Sequence, residues 1–204
     1  MALSHQQHKK ILESYKHKKL STVQIASDLG LSDSAVRYCL LKNNVKKRSI
    51  SEAITCLHIS KFNKVPFVLK KNLSAEEEKL KIIGAMLYWG EGSKRGNVVS
   101  FVNSDPEMIR VFASFLRSIC GVHEKRLSAT LHMYDDQNKK ELEKFWSKVT
   151  GISQKRFRKT FIHQRKKGTY KRKSVYGTLA LNYCDKRLLN QILSWIEDHK
   201  IVSV

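Results

Sequence analysis

The stretch from Ser74 to Gly92 constrains the fold most, because it predicts a long helix with one apolar face. Ser74 and Glu77 have the spacing of a capping box, in which the hydroxyl and the carboxylate each accept a hydrogen bond from a free backbone N–H at the helix start. Apolar residues then recur at helical spacing and predict the side that packs inward, namely Leu80, Ile83, Leu87 and Tyr88.

The second half of this predicted helix is rich in small residues. Gly84, Ala85 and Gly90 allow a second helix or a strand to approach closely, and the glycines on either side of Glu91 predict a left-handed helix end. One acid, Glu91, is therefore left where a closely packed helix opens out. Such an acid is suited to bind a metal ion. The plain alternative is a glycine-capped helix with a solvated glutamate.

Residues 82–93, IIGAMLYWGEGS, resemble the signature helix of the LAGLIDADG homing-endonuclease family. In that family two such helices pack together and their terminal acids bind catalytic magnesium. The resemblance therefore implies that Glu91 is both the catalytic and the metal-binding residue, with Mg²⁺ as cofactor. It also implies a homodimer through the Ile82–Gly92 helix. The residues that match by class are Ala85, Leu87, Gly90, Glu91 and Gly92, and those that depart are Gly84, Met86 and Trp89.

The charge of the chain points to a polyanionic partner. The 204 residues carry a formal net charge of +21, which favours nucleic acid over a membrane surface, the plain alternative being a basic protein without such a partner. We find no run of about 18 apolar residues and no apolar signal region at the N-terminus, so we expect a cytoplasmic protein. The four cysteines are far apart, which argues against zinc ribbons and disulfides and favours small core residues, at Cys39, Cys56, Cys120 and Cys184.

The first 42 residues predict three short helices, the second and third of which form a helix-turn-helix. Ser21 and Gln24 form a second capping box, and Ser32 caps the next helix, which runs from Asp33 to Lys42. The spacing of Ala26, Gly30 and Val36 is typical of a helix-turn-helix: the alanine lets the helices cross, the glycine makes the turn and the valine fills the core. This unit resembles the small helix-turn-helix of site-specific resolvases.

A helix-turn-helix places its second helix in the major groove of duplex DNA. Arg37 is then the best candidate for a bidentate contact to guanine, and Lys42 for a contact near the phosphates. The alternative is an ordinary helix pair with a solvated Arg37. The predicted DNA-binding residues of this helix are Ser32, Ser34, Arg37, Tyr38 and Lys42.

Composition divides the chain into three segments. Residues 1–48 form the helix-turn-helix domain, residues 49–74 a basic linker with a short helix, and residues 75–204 a LAGLIDADG-like domain. The linker contains one of the two prolines, Pro66. It either lies along DNA or is a plain solvated connector.

The last domain alternates strands and helices, which predicts an α+β fold with an antiparallel or mixed sheet covered by helices. Asp105-Pro106 marks the start of one helix, with the carboxylate as cap and the proline in the first turn. Residues 157–163 and 174–183 predict a hairpin with a basic tip around residues 166–168. The helix between strands departs from the simplest LAGLIDADG order.

A short internal repeat lies within this domain. Residues 121–131 align with residues 151–161 at an offset of 30, and Phe115 aligns with Phe145. The repeat predicts two similar helix–strand units on one sheet, unless it is a chance similarity of two basic turns. It places four cations at equivalent positions at the strand starts, where they are suited to a phosphate backbone: Lys125, Arg126, Lys155 and Arg156.

The stretch from Lys155 to Lys173 is the most basic part of the chain and contains no acid. Interleaved aromatic residues argue against simple disorder. The cations predict a DNA-binding surface, whose affinity falls steeply with salt because each neutralised phosphate releases counterions. A solvated loop without a ligand is the alternative. The further predicted DNA-binding residues are Arg158, Lys159, Arg165, Lys166, Lys167, Lys171, Arg172 and Lys173.

Three classes of function stay open. The first is a homing-endonuclease-like protein that cleaves double-stranded DNA with Mg²⁺, for which two copies of Glu91 would have to meet. The second is a non-catalytic helix-turn-helix transcription regulator that uses the LAGLIDADG-like fold only to bind DNA. The third is an RNA-binding or recombination accessory factor. Ser104 and Tyr176 are candidate recombinase nucleophiles, but they are better explained as a cap and a strand residue.

Overall fold

The computed structural model describes residues 3–62, 64–164 and 175–200. The chain divides into two compact units, Met1–Val65 and Pro66–Val204. None of the helices in these ranges is long and apolar enough to cross a membrane.

The first unit is built from four helices. Three of them surround a small core in which the side chains of Ile11, Ile25 and Val36 are fully buried. Gly30 follows the second helix in the left-handed conformation, with φ of 63°, as the turn requires. The helices are α1 (His5–Lys16), α2 (Thr22–Leu29), α3 (Asp33–Lys42) and α4 (Ile50–Phe62).

Both caps that the sequence predicts for α2 and α3 are present. The Gln24 backbone N–H donates to Ser21 Oγ at 3.2 Å, and the Gln24 side chain returns to the Ser21 backbone N–H at 2.9 Å. Ser32 Oγ accepts from the Ala35 backbone N–H at 3.2 Å. Local sequence therefore starts α2 and α3 and turns the chain between them.

Arg48 holds the segment after α3 against Tyr15 of α1 and the turn that follows α1. Its guanidinium lies 3.9 Å from the centre of the Tyr15 ring and donates to the carbonyls of Lys19 and Leu20 at 2.8 and 2.6 Å. Its backbone N–H donates to Tyr15 Oη at 3.0 Å. Arg48 therefore binds protein carbonyls.

Residues 66–73, which the sequence assigns to the linker, lie along the second unit. The Val68 backbone N–H donates to the Gly121 carbonyl at 3.1 Å, and the Lys70 N–H donates to the Ile119 carbonyl at 3.0 Å. Phe67 and two leucines of this segment also pack against the core. The segment is thus part of the folded unit.

The second unit is an α+β fold with a mixed four-stranded sheet. The strand order is β1-β4-β2-β3, in which β4 is antiparallel to both β1 and β2, and β2 is parallel to β3. The strands are β1 (Val99–Asn103), β2 (Ser128–Tyr134), β3 (Phe161–His163) and β4 (Thr178–Tyr183). The helices are α5 (Ala75–Glu91), α6 (Pro106–Ser118), α7 (Lys139–Thr150) and α8 (Lys186–Asp198).

The predicted hairpin of the third and fourth strands is wrong. β3 pairs with β2 in parallel, and β2 lies between β3 and β4. The crossover through α7 makes this parallel pairing possible, whereas sequence neighbours alone suggested a hairpin. The proposed tip, residues 166–168, lies outside the described residues.

One face of the sheet packs on the helices. Phe101 of β1 stacks on Phe112 of α6 with ring centres 4.3 Å apart. Gly84 of α5 lies directly against Phe115 of α6, where any Cβ would overlap the phenyl ring. The predicted close approach to α5 is therefore made by α6 of the same chain.

Two details of the predicted α5 are wrong. Ile83 is about half exposed and does not face inward. Gly92 ends the helix in an extended conformation, with φ of −82°, and not in the left-handed one. A glycine fits there because a Cβ would overlap the Tyr88 ring.

Candidate nucleic-acid interface

Helix α3 has one buried and one exposed face. The buried face consists of Val36, Cys39 and Leu40, which pack between α1 and α2. The residues predicted to contact DNA are all exposed, namely Ser32, Ser34, Arg37, Tyr38 and Lys42. Leu41, which the sequence did not single out, shares that face and is 74 % exposed.

Arg37 is held in place by an acid of its own helix. Arg37 Nη2 lies 2.7 Å from Asp33 Oδ2, one helical turn earlier. The Thr22 side chain and then the Arg37 guanidinium keep the pKa of the Asp33 carboxyl below its usual value. Asp33 therefore stays charged near neutral pH and orients the guanidinium on the exposed face.

The second unit carries a cationic cleft where β2 begins and β4 ends. We call this depression the basic cleft. Two short 3-10 turns contribute residues to it, Glu124–Arg126 and Gln154–Arg156. The turns occupy equivalent places in the internal repeat, 30 residues apart. The lining residues are Lys125, Arg126, Leu127, Ser128, Arg156, Arg158 and Cys184.

Arg126 is the least exposed cation of the basic cleft. Its side chain is 13 % exposed, pairs with Asp185 at 3.6 Å and donates to the Cys184 carbonyl. Its guanidinium also lies 5.3 Å from the centre of the Tyr183 ring. Burial of that ring raises the pKa of Tyr183 to about 12.

The residues that line the cleft carry a net positive charge. Arg156 Nη1 lies 3.8 Å from Glu124 Oε1, while Arg158 donates from its backbone to the Ala129 carbonyl at 2.8 Å. One buried terminal nitrogen of Arg126 and one of Arg156 have no hydrogen-bond acceptor among the described residues. An anion in the cleft would supply such acceptors.

The other predicted cations of the second unit are placed differently. Lys155 and Lys159 are exposed but do not line the basic cleft. The remaining predicted contacts lie outside the described residues, namely Arg165, Lys166, Lys167, Lys171, Arg172 and Lys173.

The face of the sheet that turns away from the hydrophobic core is polar at its centre, and we call it the polar face. Asn182 of β4 accepts a hydrogen bond from Ser100 Oγ at 2.9 Å and donates to Thr130 Oγ1 at 3.1 Å. These side chains alternate with the core residues of their strands. The centre of this face therefore consists of hydroxyl and amide groups, of which Ser100 is partly exposed and Thr130 and Asn182 are buried.

A ladder of rings lies at the β3 edge of the polar face. His132 of β2 stacks on Phe161 of β3, with ring centres 4.9 Å apart, and lies 5.6 Å from the ring of His163. Burial, and then the neighbouring His163, lower the pKa of His132 below its usual value. Sequence reasoning missed this ladder, because the parallel pairing of β2 with β3 brings its members together.

Glu91 is exposed at the end of α5 and makes no hydrogen bond or ion pair with another described residue. Near Glu91 along the chain, the Tyr88 hydroxyl donates a hydrogen bond to the Ser93 carbonyl. Across the described ranges, no three His, Cys, Asp or Glu side chains come together as a metal-binding group. Within that part of one chain, the donor set does not fit a magnesium ion.

Comparison with known proteins gives no match to a family model, to a curated protein or to a solved structure.

Proposed function

We propose that this protein binds double-stranded DNA through its first unit, with α3 in the major groove. The observation that carries the proposal is the division of α3 into a buried apolar face and an exposed face with Arg37, Tyr38 and Lys42. Two capped helices joined at Gly30 hold that exposed face rigidly. A rigid helix with a polar, cationic outer face is what base readout in the major groove requires.

Electrostatics support the same function. The net charge of +21 attracts a polyanion over the whole surface, and the basic cleft adds a concentrated set of cations in the second unit. Phosphate contacts provide affinity without sequence information, whereas Arg37 provides the discrimination. We therefore propose a sequence-specific DNA-binding protein of the transcription-regulator kind.

The test of this proposal compares Arg37→Ala with Lys10→Ala, which removes the same charge from an exposed site on α1. Duplexes selected from a randomised library supply a preferred site. Loss of a bidentate base contact costs about 1–3 kcal/mol of discrimination. We expect Arg37→Ala to reduce the difference in affinity between preferred and random duplexes, and Lys10→Ala to lower both affinities alike. An unchanged difference in affinity in Arg37→Ala would show that α3 does not read bases in the major groove.

DNA cleavage is a second candidate function, favoured by the exposure of Glu91 and by the resemblance of its helix to the LAGLIDADG signature. A second copy would have to bring further acids. Ile82, Ile83 and Trp89 are exposed on α5 and give a homodimer an apolar surface, whereas Gly84 is already occupied by α6. We expect nicking of duplex DNA with Mg²⁺ to be lost in Glu91→Gln while DNA affinity is kept. Equal nicking by both proteins would exclude Glu91.

A further inference from the structure

The polar face of the sheet has the components of a second binding surface, separate from α3. Its centre is the hydrogen-bonded network around Asn182, its β3 edge carries the ring ladder, and the basic cleft lies at its other end. Ser128 belongs both to the polar face and to the lining of the cleft. The two features therefore form one continuous surface.

We propose that the polar face binds single-stranded nucleic acid, with unpaired bases stacked on Phe161 and His132 and the phosphates bound by Arg126, Arg156 and their neighbours in the basic cleft. This function goes beyond the duplex binding proposed for α3 and does not depend on it.

The exposed ring of Phe161 is the first argument for this occupant. Phe161 is 49 % exposed, although it belongs to a regular strand. One face of the ring is covered by His132, which is itself flanked by His163 with the two imidazoles 3.3 Å apart at their nearest nitrogens. His132 thus supports one face of the Phe161 ring, and the exposed part of the ring is available to a further flat group. A base offers such a group, whatever its identity.

The separation between the rings and the cations is the second argument. Ser128 at the cleft and His132 at the ladder are four residues apart in β2, which corresponds to about 13 Å along a strand. That distance allows one strand of nucleic acid to place phosphates in the cleft and bases on the ladder. Between them, the hydroxyls of Ser100 and Ser128 are partly exposed and can form hydrogen bonds with base edges, while the buried Thr130 and Asn182 hold Ser100 in place.

The stacking geometry distinguishes a single strand from a duplex. Bases within a duplex stack on one another, so their faces are not available to Phe161. Unpaired bases expose both faces, and stacking on an aromatic side chain together with a cationic groove is a general mode of single-strand binding. The shared chemistry covers DNA and RNA.

The decisive experiment compares Phe161→Ala with Ile162→Ala, the next residue of β3. Ile162 is 60 % exposed, pairs with Met133 and points to the opposite side of the sheet, so it is a matched control. Binding of the full chain is measured by fluorescence anisotropy with oligothymidylate and oligouridylate of about 12 nucleotides. We expect Phe161→Ala to weaken binding roughly 5- to 150-fold, because stacking contributes about 1–3 kcal/mol per base.

Three controls sharpen the result. Ile162→Ala is expected to stay within about twofold of the unmodified protein. An abasic strand of the same length should bind the unmodified protein and Phe161→Ala alike, because it lacks the stacking partner. Phe161→Leu keeps apolar bulk on β3 and should lose affinity as Phe161→Ala does. Circular dichroism confirms that each variant is folded.

Each outcome decides the proposal. Equal binding of the single strands by Phe161→Ala and Ile162→Ala would overturn it, and so would equal losses by Phe161→Ala on single strands and on duplex. Arg37→Ala, measured in parallel, reports on the duplex site of α3. Loss of duplex binding in Arg37→Ala with no effect of Phe161→Ala would leave the proposed function standing and reject the single-strand site.

Discussion

The two copies of the internal repeat have similar sequences but different surroundings. The first copy comprises α6, a 3-10 turn and β2, and the second comprises α7, a 3-10 turn and β3. β2 lies inside the sheet between β4 and β3, whereas β3 lies at its edge and all three of its residues are exposed. The repeated pattern therefore determines the local turn, while the neighbours determine burial.

The same difference separates the two parts of the single-strand site that we propose in the second unit, the basic cleft and the exposed ring. Both 3-10 turns direct an arginine, Arg126 or Arg156, into the basic cleft. Only the edge position of the second copy leaves an aromatic residue, Phe161, exposed beside the polar face. Substitutions at equivalent positions of the two copies should thus have unequal effects.

The largest inequality is expected for the paired phenylalanines. Phe115 of α6 is fully buried against α5 and Trp195 of α8, so Phe115→Ala should cost about 3–5 kcal/mol of unfolding free energy. Phe145 is partly buried and stacks on Tyr176 with ring centres 4.0 Å apart, so Phe145→Ala should cost about 1–2 kcal/mol. Denaturant unfolding followed by tryptophan fluorescence measures both, because all three tryptophans lie in the second unit. Equal costs would contradict the unequal burial of the two copies.

The paired glycines should show the next largest inequality. Gly121 and Gly151 both have positive φ, 55° and 70°, so alanine at either position costs about 1–2 kcal/mol. A Cβ at Gly121 would also overlap the Val68 carbonyl, whereas at Gly151 the nearest atom is Arg117 Nη2 at 3.8 Å. We expect Gly121→Ala to cost roughly 2–5 kcal/mol in total. Thermal unfolding of the two variants would refute this if Gly151→Ala were the less stable.

The paired lysines test whether the basic cleft binds phosphate. Lys125 lines the cleft, whereas Lys155, the equivalent residue of the second copy, does not. Lys125→Ala should weaken binding of single strands and reduce the slope of log affinity against log salt by about 0.7, the value for one phosphate contact. Lys155→Ala should change both quantities less. A salt titration with the same oligonucleotide measures them, and a larger effect at Lys155 would place the phosphates elsewhere.

Local sequence was sufficient to predict much of the first unit. Ser21, Gln24 and Ser32 cap their helices as predicted, and Gly30 turns the chain. Each of these features depends on residues within about four positions along the chain, where hydrogen bonds and backbone preferences act directly. The DNA-binding role of Arg37 remains a prediction.

Long-range pairing explains what the sequence did not predict. Residues 157–163 and 174–183 are successive strand-like segments, yet β2 separates them in the sheet. Arg48 returns to Tyr15 across 33 residues, and Cys184 is exposed beside Arg158 rather than buried as predicted. The sequence did identify the repeated turns of the cleft, but it contained no local signal for the contact of His132 with Phe161.

The smallest expected effect is the pH dependence of folding stability that His132 contributes from β2 of the first copy. Burial and the nearby His163 lower the pKa of His132 below its usual 6.5, so the unfolded chain binds the proton more readily than the folded one. The stability that His132 contributes is therefore present above pH 6.5 and is lost as the pH falls below that value. His132→Phe keeps a ring for Phe161 to stack on but cannot titrate. Its stability should therefore fall less steeply between pH 7.5 and pH 5.5, which is about one unit on either side of the ordinary histidine pKa. Tyr134→Phe, a neighbouring ring in the same strand, should keep the original slope in urea unfolding, and equal slopes for His132→Phe and the unmodified protein would show that the ladder does not sense protonation.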